Sequence, residues 1–98
     1  MFGQMKQLME MQKKMREVKN QLDNTYFEII SNDGLIKITM SASQELKDIT
    51  IQSDISGIAK NALEASLKEA YNKAIKRSHE LGAEKMKQIT GFNIPGLT

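Results

Sequence analysis

Basic side chains are concentrated near both ends of this 98-residue chain, and their chemistry suits contact with anionic partners. Residues 1–24 hold five basic and three acidic residues, a net of +2, and residues 55–98 hold seven and four, a net of +3. Residues 25–54 hold two basic and five acidic residues, a net of −3. A polyanion should therefore meet the two ends of the chain rather than its middle. The side chains predicted to contact phosphate oxygens are Lys6, Lys13, Lys14, Arg16, Lys73, Lys76 and Arg77.

The basic residues have a second interpretation, because several have acidic neighbours at helical spacing. Lys6 is followed by Glu10 and Lys13 by Glu17, each four positions on. Such pairs contribute a few tenths of a kcal/mol each, and they usually mark a solvated helix face. The charge pattern therefore leaves both a phosphate-binding surface and an ordinary solvated surface open.

Residues suited to catalysis or to metal binding are scarce. The absence of cysteine excludes disulfides, thiolate metal sites and cysteine nucleophiles, and it fits a reducing cytoplasm. The single histidine, His79, lies among charged residues, and no acidic pair or glycine-rich phosphate loop has a suggestive spacing. We therefore expect no enzymatic activity, cofactor, metal or small-molecule substrate. The aromatic residues are too scattered to stack bases, which favours duplex over single-stranded nucleic acid.

No membrane-directed segment is evident. No apolar run approaches the roughly 20 residues of a membrane span. The N-terminal residues are amphipathic rather than an apolar signal core. The sequence therefore predicts a cytoplasmic protein with no membrane partner.

The first segment, residues 1–24, has the period of a helix. Apolar residues recur with heptad spacing over fewer than three heptads, which predicts a helix packed along a narrow stripe. The stripe consists of Leu8, Met11, Met15, Val18 and Leu22. The lysine-bearing face and the tip of this helix would remain available to a partner.

Residues 25–53 change to period two and predict three antiparallel strands in a meander. Apolar residues recur at every second position within "TYFEIIS", "LIKITMS" and "LKDITIQ". "NDG" between the first two is a strong hairpin signal because Gly34 can adopt positive φ, and "ASQE" supplies the second turn. One apolar face of this sheet needs a cover.

The predicted cover is a second helix over residues 54–90, capped by Asp54 or Ser56. Its apolar stripe begins with Leu63, Leu67, Ala70 and Ala74. Arg77 occupies the next slot of the stripe, so the helix should leave the core near that residue. Residues 91–98 should form an irregular tail, since Pro95 blocks helix continuation.

These elements predict an α+β fold in one domain, residues 1–98. A helix of about 20 residues is about 30 Å long, which exceeds the length of a typical strand. Both helices should therefore extend beyond the sheet. Their unpaired apolar stripes, in a chain too short to bury a large core, predict a two-fold homodimer.

Five segments in register resemble the YbaB/EbfC family of bacterial nucleoid-associated proteins across essentially the whole chain. The opening "FGQMKQLMEMQKKMREVKNQL", the strand "GLIKITM" and the strand "ITIQSDI" are similar to that family. So are "EAYNKAIKRS" in the last helix and the closing "EKMKQITGFNIPGL". The loop after the third strand is shorter and less acidic than is usual in the family, and Lys73 replaces a common acidic residue.

The resemblance implies a dimeric protein that binds duplex DNA in the nucleoid, with the helices of the dimer forming a tweezer-like shape. We expect weak sequence preference, coating or bridging of DNA, and an influence on gene expression. Two alternatives remain at this stage. One is an adaptor or chaperone-like helical clamp for another protein, and the other is an RNA- or ribosome-associated factor.

Overall fold

Two helices flank a three-stranded antiparallel sheet, which confirms the predicted α+β order of elements. The structure is a computed structural model that describes residues 2–52 and 54–91. The elements are α1 (Phe2–Asp23), β1 (Tyr26–Ile30), β2 (Ile36–Ser41), β3 (Leu46–Ile51) and α2 (Lys60–Thr90). The predicted tail falls largely on residues 92–98, which lie outside the described residues.

The two turns of the meander form at the predicted positions. The first depends on Gly34, whose φ of 75° is readily adopted only by glycine and whose amide donates to the Ser31 carbonyl at 2.9 Å. The second places Gln44 at a φ of 69°, with its amide donating to the Ser41 carbonyl at 3.0 Å. The strands therefore lie in the order β1-β2-β3.

The core lies between α2 and the central strand. Ile38 pairs with Ile29 on one side and with Ile49 on the other, so all three side chains project from the same face of the sheet. Ile38 and Met40 are fully buried beneath α2. Ile49 remains 42% exposed, because α2 covers β1 and β2 but leaves the edge strand β3 uncovered.

Small side chains spaced four residues apart form the buried stripe of α2. They are Ser66, Ala70, Ala74 and Ser78. The Ser78 hydroxyl lies 3.1 Å from the Ser41 carbonyl oxygen and 3.0 Å from the Ala42 carbonyl oxygen. This buried hydroxyl therefore has hydrogen-bond partners inside the core. The expectation that α2 leaves the core at Arg77 is therefore wrong, because the next residue continues the stripe.

The predicted start of the second helix is also wrong. The helix begins at Lys60 after the N-cap Ala59, which makes no side-chain capping hydrogen bond. Asp54 instead accepts a hydrogen bond from the Ser56 amide at 2.9 Å, and Ile58 donates to the Ile55 carbonyl at 3.0 Å. These local turns satisfy the polar groups that would otherwise cap a helix. The other end matches the prediction, since Gly91 caps the helix with a φ of 77°.

The β1–β2 turn is fastened to α2 by the Asp33 carboxylate. It accepts hydrogen bonds from the Ser31 hydroxyl (2.6 Å), the Leu35 amide (3.0 Å) and the Ser66 hydroxyl on α2. These donors favour the charged carboxylate, and they lower the pKa of Asp33 from an ordinary 3.8 to about 2, the Ser31 hydrogen bond contributing most. One ionised side chain therefore joins the turn to the helix that covers the sheet.

The molecule is elongated, with principal extents of 68 × 22 × 17 Å. Its radius of gyration is 18.2 Å, whereas a compact domain of this length would have one of about 13 Å. The difference arises because both helices extend beyond the short sheet, as the sequence predicts.

Replacement of Asp33 by Asn should lower stability in a pH-dependent manner. The folded-state pKa lies below the unfolded value, so ionised Asp33 stabilises the fold above about pH 4. That contribution is lost as the pH falls from about 4 to about 2. Urea titrations should therefore show wild type more stable than Asp33→Asn at pH 7, with the difference shrinking across that acid range. Asp48→Asn, at an exposed position of β3, is the control, and an equal pH-dependent loss in both variants would contradict the role of Asp33.

Candidate nucleic-acid interface

The helix α1 is anchored near its C-terminal end. Val18 is 2% exposed, and the half-buried Leu22 lines a small pocket with Ala42 and Ala83. The chain then enters β1 through Thr25, whose hydroxyl donates to the Gln21 carbonyl at 2.6 Å and whose carbonyl accepts from the Ala42 amide at 2.8 Å. The last turns of α1 are therefore fixed to the sheet and to α2.

The rest of the predicted α1 stripe is not buried within one chain. Met11 and Met15 line a groove together with Met86 and Thr90 of α2. Even so, Leu8, Met11 and Met15 are between 46% and 60% exposed. Their role as a seam against a second copy stays a prediction.

The apolar stripe predicted for α2 is also only partly buried within one chain. Ala70 and Ala74 are buried in the core, whereas Leu63 is half-buried and Leu67 is 38% exposed. Leu67 lies beside Tyr71 and Ile49 in a groove between α2 and the edge strand β3. An apolar surface therefore remains open on the core side of the sheet.

Three of the four predicted basic residues of α1 lie together. Lys6, Lys13 and Arg16 line one shallow surface groove together with Met5, Met9 and the acidic Glu10. All six side chains are exposed. We call the five residues other than Glu10 the α1 basic face. None of these five lines the groove between α1 and α2, whereas Glu10 lines both grooves.

The fourth predicted basic residue, Lys14, lies elsewhere on the helix. It lines the groove between α1 and α2 together with Met11, Met15 and Met86. Although adjacent to Lys13 in sequence, its position is about 100° further around the helix, because consecutive residues do not share a helix face. Lys14 therefore lies outside the α1 basic face, and its predicted phosphate contact stays a prediction.

The charged side chains of α1 do not pair with one another. Among the residues that the structure describes, none of the ion pairs within 4.0 Å involves α1. The spacing of Lys6 with Glu10 and of Lys13 with Glu17 therefore does not produce salt bridges. The cations of the α1 basic face are solvated and available to an external anion.

Lys73, by contrast, is engaged within the fold. Its ammonium group donates to the Asn32 side-chain oxygen at 2.7 Å and lies 3.4 Å from the Ile30 carbonyl oxygen and 3.8 Å from the Glu69 carboxylate. Glu69 in turn accepts a hydrogen bond from the Asn32 amide at 2.8 Å. The structure thus gives Lys73 a role in holding the β1–β2 turn against α2.

The two other predicted cations of α2 are exposed. Lys76 has no ion pair within 4.0 Å among the described residues, whereas Arg77 lies 3.3 Å from Glu80. An exposed pair of this kind contributes little to stability and can exchange its partner for a phosphate. Both residues remain candidates for phosphate contacts.

The cations of the sheet have partners on its outer face. Lys37 lies 4.0 Å from Glu28 and Lys47 lies 3.4 Å from Glu45. The Lys47 ammonium group also lies 5.3 Å from the centre of the Tyr26 ring, and the hydrogen bond with Glu45 is the main cause of its raised pKa. The sheet is therefore a weaker candidate for anion binding than α1.

Metal-binding and membrane-spanning features do not occur in the part of the chain that the structure describes. No group of three or more histidine, cysteine, aspartate or glutamate side chains is placed to hold a metal ion in residues 2–52 and 54–91. In the same ranges, no helix is long and apolar enough to cross a membrane.

Sequence comparisons relate almost the whole chain to one group of proteins. Residues 1–92 match the family model described as the YbaB/EbfC DNA-binding family. A nucleoid-associated protein of Afipia carboxidovorans is 35% identical, with 98% of this chain and 93% of the relative covered. A nucleoid-associated protein of Dictyoglomus turgidum is 33% identical, with 96% and 92% covered. One from Rhodopseudomonas palustris is 36% identical, with 92% and 86% covered.

A solved structure shares the fold. The crystal structure of an uncharacterized protein from Helicobacter pylori superposes with a TM-score of 0.77. The match covers 93% of this chain and 98% of that protein, at 22% sequence identity. The arrangement of two long helices around a three-stranded meander is therefore found in a second protein.

The position of Lys73 predicts that Lys73→Gln will lower stability, because the change removes the ammonium group that joins α2 to Asn32 and Ile30. Hydrogen bonds to charged groups contribute about 1.5–3 kcal/mol, and partial exposure places this one at the lower end. Thermal unfolding followed by circular dichroism should show a lowered midpoint for Lys73→Gln. The midpoint of Lys76→Gln, a change at a nearby exposed residue, should equal that of wild type. Equal midpoints for both variants would contradict the structural role.

Proposed function

The chain belongs to the YbaB/EbfC DNA-binding family, and we propose that it binds duplex DNA through the α1 basic face. The observation that carries this proposal is the unpaired state of Lys6, Lys13 and Arg16, which lie together on one exposed side of a helix that is anchored at its other end. Such cations contact phosphate oxygens and release counterions on binding, which favours association.

Binding through this face should show weak sequence preference. Lysines are point charges that position a protein on the phosphate backbone without reading bases. Arg16 is the one side chain of the face with a bidentate fork suited to guanine. Coating or bridging of DNA therefore fits this face better than recognition of a dedicated site does.

We further propose that the active form is a two-fold homodimer. The core-facing side chain of Ile49 on β3 is not covered by α2, and it lies in the same exposed groove as Leu67 and Tyr71. A second copy that packs its own groove against this one would bury both apolar surfaces, as a two-fold interface requires.

A dimer would carry the α1 basic face twice, and two copies could contact neighbouring segments of one duplex or join two duplexes. Occupancy of the chromosome in this way would place the protein in the nucleoid and influence gene expression. An RNA-associated role would use the same phosphate chemistry, and an adaptor role would use the open apolar groove. Family membership favours duplex DNA over both alternatives.

The first test replaces three cations of the α1 basic face together. The variant Lys6→Gln, Lys13→Gln, Arg16→Gln should bind all duplex sequences more weakly. The slope of log K against log salt concentration should become shallower by about 0.9 for each phosphate that is no longer neutralised. Fluorescence anisotropy at several salt concentrations gives both quantities.

A charge-matched control separates a local interaction from a change in net charge. Lys37→Gln, Lys47→Gln, Lys60→Gln also removes three exposed or half-exposed cations, two from the sheet and one from the first turn of α2. This control should retain the wild-type salt slope. A control that weakens binding as strongly as the α1 variant would contradict the proposed interface.

The second test concerns assembly. Leu67→Asp should yield a folded monomer, because the side chain is partly exposed in one chain but would be buried, with an unpaired charge, between two copies. Sedimentation at micromolar concentration should report about twice 11.1 kDa for wild type and 11.1 kDa for the variant. Ile30→Asp, at an exposed apolar position on the outer face of the sheet, should remain dimeric. A monomeric wild type would rule out the dimer.

A further inference from the structure

Two methionines of the α1 basic face lie outside the core cluster and outside the groove between α1 and α2. Met5 and Met9 are each 65% exposed, and they line the same groove as Lys6, Lys13 and Arg16. Contacts with phosphate oxygens require cations but no thioether side chains. The same groove contains one carboxylate, Glu10, against three cations, so its charge is positive. An apolar pair in a groove of positive charge indicates a ligand with an apolar feature next to its negative charge.

Packing against α2 does not account for this pair. The methionines that border α2 are Met11 and Met15, on another side of the helix. Met5 and Met9 line only the groove on the α1 basic face. Glutamine or lysine would support the helix about equally well, so helix propensity does not explain the choice either.

The major groove of DNA presents the ligand that this pattern fits. The groove is about 12 Å wide and accepts an α-helix, and the 5-methyl group of thymine is the apolar feature on its floor. Methionine is flexible and polarisable, so it adapts to an irregular apolar surface. The spacing of four residues separates Met5 from Met9 by about 6 Å along the helix. That distance corresponds to roughly two base-pair steps of 3.4 Å.

We propose that Met5 and Met9 contact thymine 5-methyl groups in the major groove while Lys6, Lys13 and Arg16 contact the phosphates that border it. This inference rests on the proposed DNA binding and adds a source of base preference to it. Thymine-rich duplexes should bind more tightly than duplexes without the methyl groups. The preference is modest, since burial of one methyl group corresponds to about a fourfold change in affinity.

The test compares two duplexes that differ only in these methyl groups. One A·T-rich duplex contains thymidine, and the other has deoxyuridine at every thymidine position. Wild type should bind the deoxyuridine duplex about fourfold more weakly for each thymine methyl group that a methionine would otherwise bury. The salt slope should be the same for both duplexes, because their charge is identical.

Two variants assign the effect to the methionines. Met5→Gln, Met9→Gln should bind the two duplexes equally, at about the affinity of wild type for the deoxyuridine duplex. Met11→Gln, which changes an exposed methionine on the α2 side of the same helix, should keep the wild-type ratio. Circular dichroism at the same concentration should confirm that both variants remain folded.

The outcomes distinguish this inference from the proposed function. Salt-dependent binding of wild type with equal affinity for the two duplexes would overturn the thymine contact and leave DNA binding intact. Failure to bind either duplex would overturn both. If Met5→Gln, Met9→Gln still binds the thymidine duplex more tightly than the deoxyuridine duplex, residues other than this pair contact the methyl groups and the inference is overturned. The same conclusion follows if Met11→Gln binds the two duplexes equally. Unchanged affinity of the double variant for the thymidine duplex would overturn the inference and assign the methionine pair to a different ligand, such as an acidic protein surface.

Discussion

The close packing of α2 on the central strand is the contact on which the rest of the structure depends. Alanine and serine at Ala70, Ala74 and Ser78 let the helix approach β2, where Ile38 and Met40 are fully buried. The core is small because one helix covers only two of the three strands. Side-chain hydrogen bonds at both ends of this contact, from Ser66 to Asp33 and from Ser78 to the Ser41 carbonyl, hold the helix in register with the sheet.

This narrow core determines what remains exposed. The third strand keeps its core-facing isoleucines open to solvent, and α1 rests on the distal part of α2 rather than on the sheet. The free length of α1 then presents cations that no part of the described chain neutralises. The two exposed surfaces have separate proposed roles, one for a second copy and the other for DNA.

Local patterns predicted the elements well, and contacts distant in sequence explain most of the errors. Heptad and alternating periods identified both helices and all three strands, since those signals are local. The role of Lys73 was not predictable, because its partners Ile30 and Asn32 are more than 40 residues away. The start of the second helix was misplaced because aspartate is a residue type that favours the N-cap position. The Asp54 carboxylate instead accepts a hydrogen bond from the Ser56 amide within a local turn. The heptad stripe of α1 does not include Met5 and Met9, and the folded helix shows that they share a face with Lys6, Lys13 and Arg16.

The most direct test of DNA binding through α1 is a map of lysine reactivity on the intact protein with and without duplex DNA. An amine-reactive reagent, with modification sites measured by mass spectrometry, reports each ammonium group separately. Binding through the α1 basic face predicts that DNA protects Lys6 and Lys13 and leaves the sheet residues Lys37 and Lys47 at their unbound reactivity. Protection confined to Lys37 and Lys47, with Lys6 and Lys13 still reactive in the complex, would contradict the assignment of DNA binding to α1.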